Sequence, residues 1–175
     1  MAGPVRVFIA CSLDGFIAGP DDDLSWLPAP GPDEDYGYAA FMAGTSAILM
    51  GRATYDVAAA FDRWPYGELP VFVATSRPLD SPVATAHPIR GDASELLAEV
   101  RAATGGAVYL DGGTLIRAFL DHDLVDELTV TVVNVILGAG SPLFAGAARR
   151  HRLTLTGATP YASGLVQLRY SLLSR

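Results

Sequence analysis

Apolar, β-favouring runs in this chain repeatedly end in glycine or hydroxyl residues and are followed by segments with helical character. The runs are VRVFIA, SAILM, LPVFVAT, GAVYLD and ELTVTVVNVIL. Between several of them lie Asp35 to Gly44, Thr54 to Ala60, Ala93 to Ala103 and Thr114 to Leu120. Strands that alternate with helices cover both faces of a sheet only through crossover connections, so the pattern predicts an α/β fold with a mostly parallel central sheet. In DASELLAEVRAATGG the leucines and Val100 recur at helical spacing, Asp92 or Ser94 can cap the start, and Gly105 can end the helix. The tail, HRLTLTGATPYASGLVQLRYSLL, alternates apolar and polar residues around a Pro- and Gly-containing connection. It reads as a C-terminal antiparallel hairpin added to the sheet. No repeat, low-complexity tract or linker divides the chain, so residues 1–175 are expected to form a single domain.

The strand ends are where chemistry enters. In AVYLDGGTLIRAFL, Gly112 and Gly113 stand between a strand-like and a helix-like run. One reading is mechanical, a sharp turn that needs residues without Cβ. The other is chemical: a helix N-terminus aims unpaired N–H groups and a positive dipole end at the sheet edge, where a phosphate can approach bare backbone. Two further strand ends carry suitable groups. ILMGRATYDV places Gly51 and Arg52 before a helix, and VFVATSR ends in Thr75, Ser76 and Arg77. Ligands of open α/β sheets bind outside the carboxyl ends of the strands, so three such ends together favour an anion site.

A net charge of −7 argues against a nucleic-acid or anionic-membrane partner but not against an anionic small molecule held by local arginines. No apolar run reaches the length of a membrane span, and the first residues lack a secretory pattern, so a cytoplasmic location is expected. Cys11 reads as a buried strand residue rather than a reactive thiol. His87, His122 and His151 are far apart in sequence, and no metal site is expected. The Pro-, Gly- and Asp-rich stretch from Gly19 to Pro32, carrying Trp26, reads as either an active-site cover or a surface loop.

The blocks ACSLDGFIAGPDDDLSWLP, DYGYAAFMAG, ILMGRATYDV, VFVATSRPL, VYLDGGTLIRAFL and DELTVTVVNVILGAGSPLF, in that order, resemble the dihydrofolate-reductase-like superfamily. The branch they most resemble is the reductase domain of the riboflavin-pathway deaminase-reductase. The resemblance implies a three-layer fold, NADPH as cofactor, and hydride transfer to a small heterocyclic, pyrimidine- or pterin-like substrate. It implies cofactor phosphates against Gly51, Arg52 and Thr54, with Arg52 near the 2′-phosphate. Thr75, Ser76 and Arg77 would flank the adenine ribose and that phosphate. Gly112, Gly113, Thr114, Leu115 and Ile116 would form the pyrophosphate site, and Ala10 and Ile17 the wall behind the nicotinamide.

The resemblance also implies substrate-side roles. Asp35 falls where dihydrofolate reductases keep a pocket acid, and Trp26 near their loop tryptophan. A carboxyl in an apolar pocket would have a raised pKa and assist protonation, whereas a solvated helix N-terminus explains Asp35 without catalysis. Asp14 is a candidate substrate ligand or a turn residue before Gly15. No deaminase signature accompanies the domain. Such sheets often pair, which makes a homodimer possible, and ELTVTVVNVILGAG suits a core strand or a dimer face. A genuine dihydrofolate reductase and a non-catalytic NADP-binding module are the alternatives.

Overall fold

The computed structural model describes residues 2–28, 34–79 and 83–172. Its strands are β1 (Val5–Ser12), β2 (Phe16–Ala18), β3 (Thr45–Gly51), β4 (Val71–Ala74), β5 (Ala86–Ile89), β6 (Ala107–Asp111), β7 (Glu127–Val133), β8 (Ser141–Pro142), β9 (Leu153–Pro160) and β10 (Val166–Leu172). Its α-helices are α1 (Tyr38–Ala43), α2 (Arg52–Ala59), α3 (Ala93–Ala103) and α4 (Gly113–Asp121). Eight strands form one sheet in the order β5-β4-β3-β6-β1-β7-β10-β9, and β2 pairs with β8 beside it. The six strands from β5 to β7 run parallel; β10 and β9 close the sheet as an antiparallel hairpin. The fold is the dihydrofolate-reductase-like one that the sequence implies.

Period-two alternation sends successive side chains of the central strands into two separate cores. Ala47 and Leu49 of β3 join Leu96, Leu97 and Val100 of α3 and Ile116 and Phe119 of α4. Ile48 and Met50 point the other way, to Tyr55 of α2 and to Tyr38 and Phe41 of α1. This makes three layers. It also places the C-terminal ends of all six parallel strands, from Ser12 to Val133, along one edge of the sheet.

The α3 segment forms where expected, and its cap is reciprocal: Asp92 accepts from the amides of Ser94 and Glu95, while Glu95 accepts from the Asp92 amide. Two expectations are revised. β5, AHPI, carries a proline and a histidine and lacks an apolar run, yet it adds to the β4 side of the sheet as its edge strand, a position that tolerates proline. The long run ending in NVIL leaves the sheet at Val133, and Ile136 is 70% exposed. β7 lies between β1 and β10 with a largely buried pattern, so the strand portion of this run is a core strand.

Cys11 is buried, and burial pushes its thiol pKa up, consistent with an inert core residue. Among the described residues, no helix is long and apolar enough to cross a membrane, and no group of three His, Cys, Asp or Glu is placed to hold a metal ion.

Candidate active site

A cleft of about 730 Å³ opens at the C-terminal edge of the sheet, between the ends of β1, β3 and β6. Its lining includes Ala10 and Ile17, the turn Gly51–Thr54, and Asp111 to Leu115. The N-termini of α2 and α4 both border it. In α4 the first helical bond runs from the Ile116 amide to the Gly112 carbonyl at 2.9 Å, which leaves the amides of Gly113, Thr114 and Leu115 for a ligand.

The three glycines of these turns are glycine for different reasons. Gly112 has φ +98°, and a Cβ there would stand 2.7 Å from Thr54 Oγ1. A Cβ on Gly113 would stand 2.9 Å from the Pro142 carbonyl oxygen and 3.0 Å from Ile17 Cδ1. Both are demanded by the protein's own packing. Gly51 has ordinary extended backbone, φ −75° and ψ 162°, and a Cβ added there would meet nothing within 4 Å. Since Gly51 lines the cleft, its backbone is the one left bare toward a bound molecule.

The arginine ends are only partly as expected. Arg52 donates to Asp56 Oδ1 at 2.7 Å and to the Pro78 carbonyl at 2.8 Å, tying the β3–α2 turn to the turn after β4. Thr75 is buried, and its hydroxyl is spent on the Arg77 backbone at 3.1 and 3.2 Å. Ser76 and Arg77 are exposed, and this turn stands beside the cleft without lining it. Arg90, at the end of β5, donates to the Ser76 carbonyl at 2.6 Å and brings a third guanidinium to this corner.

Other expected residues fall elsewhere. Ile116 is wholly buried in the core, and its amide is committed to Gly112, so it does not belong to the pyrophosphate site. The Trp26 indole N–H donates to the Asp23 carbonyl, and it is Leu24 and Leu27 of the same loop that line the cleft. Asp14 accepts from Ser12 Oγ and from the amides of Leu137 and Gly138. These bonds hold its carboxyl down at about 2 and make it a clasp between two loops rather than a group turned to a ligand.

Asp35 borders a smaller cavity of about 170 Å³, which adjoins the cleft through Phe8, Ala10 and Leu27. Its carboxylate accepts from the amides of Ala39 and Gly37 at 2.8 and 2.9 Å, and these bonds lower its pKa. The direction is opposite to the raised pKa expected of an apolar-pocket acid. Asp35→Ala is therefore expected to lower the urea midpoint by releasing the start of α1, a loss that equilibrium unfolding of parent and variant would reveal.

The group with a raised pKa is Asp111, at the end of β6. Burial pushes its carboxyl up to about 6, against the pull of the Gly112 amide and the Tyr109 hydroxyl, which donate to it at 2.8 and 3.2 Å. Tyr66 and Tyr38 stand close enough to feel its charge, and both phenols are raised, chiefly by burial. Sequence pattern does not single out Asp111, because the glycine pair that follows it is the stronger signal in that segment. Nor does it single out Arg117, which donates to the Pro142 carbonyl at 2.6 Å and to Thr114 Oγ1 at 3.2 Å.

Comparison with known proteins agrees with this architecture. A protein of Shewanella sp. PV-4 named for riboflavin biosynthesis superposes with a TM-score of 0.87 at 32% identity, covering 99% of this chain and 100% of that one. The protein YwjB of Bacillus subtilis (strain 168) is 31% identical over 94% of this chain and 95% of its own. The Thermotoga maritima diaminohydroxyphosphoribosylaminopyrimidine deaminase/5-amino-6-(5-phosphoribosylamino)uracil reductase shares the fold, with a TM-score of 0.71 at 16% identity over 98% of this chain and 57% of that one. The model of the RibD C-terminal domain matches residues 4–167, and the chain belongs to that family.

Proposed function

We propose that the protein is an NADPH-dependent oxidoreductase that delivers a hydride to a small heterocyclic, pyrimidine- or pterin-like substrate. The observation that carries this reading is the junction of two unlike spaces: a long strand-end cleft with bare Gly51 and the open amides of α4, and a small apolar cavity sharing Phe8, Ala10 and Leu27 with it. The bound cofactor would supply the hydride. The amides of Gly113, Thr114 and Leu115 would hold its pyrophosphate, and Ala10 and Ile17 would back its reactive ring. Leu24 and Leu27 would exclude water from the junction. Asp111, which lines the cleft and has a carboxyl near half-protonated at about pH 6, is the cleft's group able to hold and give up a proton.

A genuine dihydrofolate reductase is a weaker reading, because the carboxyl of Asp35 is kept ionised by two backbone amides instead of being primed to give a proton. Cofactor preference tests the proposal. Arg52 and Arg77 stand on neighbouring turns, joined through the Arg52 bond to Pro78, and a 2′-phosphate held by both would gain roughly 1.5 to 3 kcal/mol from each charge-assisted bond. NADPH should therefore bind far more tightly than NADH, and the gap should narrow with salt. The double variant Arg52→Gln, Arg77→Gln should lose most of the preference by weakening NADPH alone. Fluorescence titration of both nucleotides decides: equal affinities in the parent would sink the proposal.

A further inference from the structure

The small cavity beside the cleft has a charge pattern opposite to that of the cofactor corner. Its walls are apolar or neutral, from Phe8, Leu27, Val133 and Leu165, apart from the Asp35 carboxylate. Glu34 stands next to it. Burial first, and then both carboxylates, raise the pKa of Tyr161, whose ring packs edge-on against cavity-lining Tyr36 at 4.9 Å.

The sequence contains no lysine, so all 12 basic residues are arginines, and none lines this cavity. Arg6 and Arg169, on the strands beside it, make their bonds outside the cavity lining. The Arg6 guanidinium lies 4.7 Å from the Phe41 ring centroid and donates to the Phe41 carbonyl and to Thr45 Oγ1. Arg169 acts on Tyr161 and donates to Gln167 Oε1 at 3.5 Å behind the cavity wall, without lining the cavity, while its Nη2 lies over the outermost strand, 2.8 Å from where a Cβ on Gly157 of β9 would stand. That nitrogen donates to Thr159 Oγ1 at 3.4 Å.

A phosphate placed here would meet a carboxylate with no cation or open helix end among the described residues that line the cavity, and desolvating an unpaired anion is costly. Space bears on the ring alone. A volume of about 170 Å³ matches roughly half a dozen waters at about 30 Å³ each, enough for one small substituted ring.

From these observations we infer that the acceptor side takes a small aminopyrimidine-type ring without a phosphate group, unlike the phosphoribosylated substrate in the name of the Thermotoga maritima enzyme. The inference rests on the proposed reductase reading and narrows its substrate class. A free base and a ribosylated base share the ring chemistry, and both satisfy it.

The test compares 5-amino-6-(ribosylamino)uracil with its 5′-phosphate by calorimetric titration into the full chain saturated with NADP⁺. The phosphorylated form should bind at least about tenfold more weakly at low salt, and the gap should shrink as salt rises, because repulsion between partly exposed charges is screened. Glu34→Gln, which keeps an oxygen for the Tyr36 amide, should narrow the gap as well. Equal or tighter binding of the phosphate, a gap indifferent to both salt and Glu34, or no binding of either compound would overturn the inference. Nucleotide binding is read separately, in the saturation step. If NADP⁺ fails to bind, the cofactor reading falls on its own, and the same ligand pair titrated into cofactor-free protein still decides the phosphate question.

Discussion

Gly51→Val is expected to weaken NADPH binding by about 10- to 100-fold while the variant melts at the parent's temperature. The backbone at Gly51 is ordinary for a β-branched residue, and an added Cβ meets no protein atom within 4 Å, so the fold has nothing to relieve. The isopropyl group would instead project into the cleft at the α2 N-terminus, where overpacking against a bound phosphate costs about 1 to 3 kcal/mol. The choice of glycine matters. At Gly113 a valine would press on the Pro142 carbonyl and Ile17, and at Gly112 any side chain would be strained by φ +98°. Lost affinity in either variant would be confounded with lost stability. Thermal melts and fluorescence titration of Gly51→Val separate the two, and a variant that binds NADPH as the parent does would remove the phosphate from this turn.

That contrast also measures what is legible in the sequence. The parallel sheet is readable because β1, β3, β4 and β6 are near-continuous apolar runs, and because β9 and β10 alternate as a hairpin should. The strand-end cleft follows from that topology. Which atoms face it does not. Gly112 and Gly113 look like the phosphate cradle by pattern alone, but their crowding comes from Thr54, Pro142 and Ile17, residues distant in the chain that only folding brings together. Asp35 and Asp111 show the same limit for charge. Their pKa values move in opposite directions because one meets two amides at an exposed helix start and the other is half-buried at a strand end facing the cleft, and neither environment is written locally. β5 is invisible because its place beside β4 owes more to the sheet edge than to its own propensity.

Asp111→Asn should raise stability and abolish most turnover, a pairing that few positions combine. The folded carboxyl titrates at about 6 against an ordinary 3.8, so the native state binds more protons than the unfolded chain between those values. Stability is then lost as pH rises through that window, and at about pH 7.5 the buried charge costs on the order of 2 kcal/mol once solvent reaching it from the cleft is allowed for. Asparagine keeps an oxygen for the Gly112 amide, and its NH₂ can donate to the Tyr109 hydroxyl, whose single proton is then left to the Phe8 carbonyl 3.0 Å away. The variant should therefore melt higher than the parent at about pH 7.5, with the difference fading as pH falls toward about 4. Turnover should fall by about 10² to 10⁴, the usual worth of a positioned proton donor. In the parent, activity should decline above an apparent pKa near about 6, and the limb should be absent from the residual activity of the variant. NADPH affinity is the control, because the amides that would hold the pyrophosphate are untouched. A stabilised variant with parental turnover would show that Asp111 strains the fold without handling the proton, and a destabilised one would show that the buried carboxyl is held by more than its two hydrogen bonds.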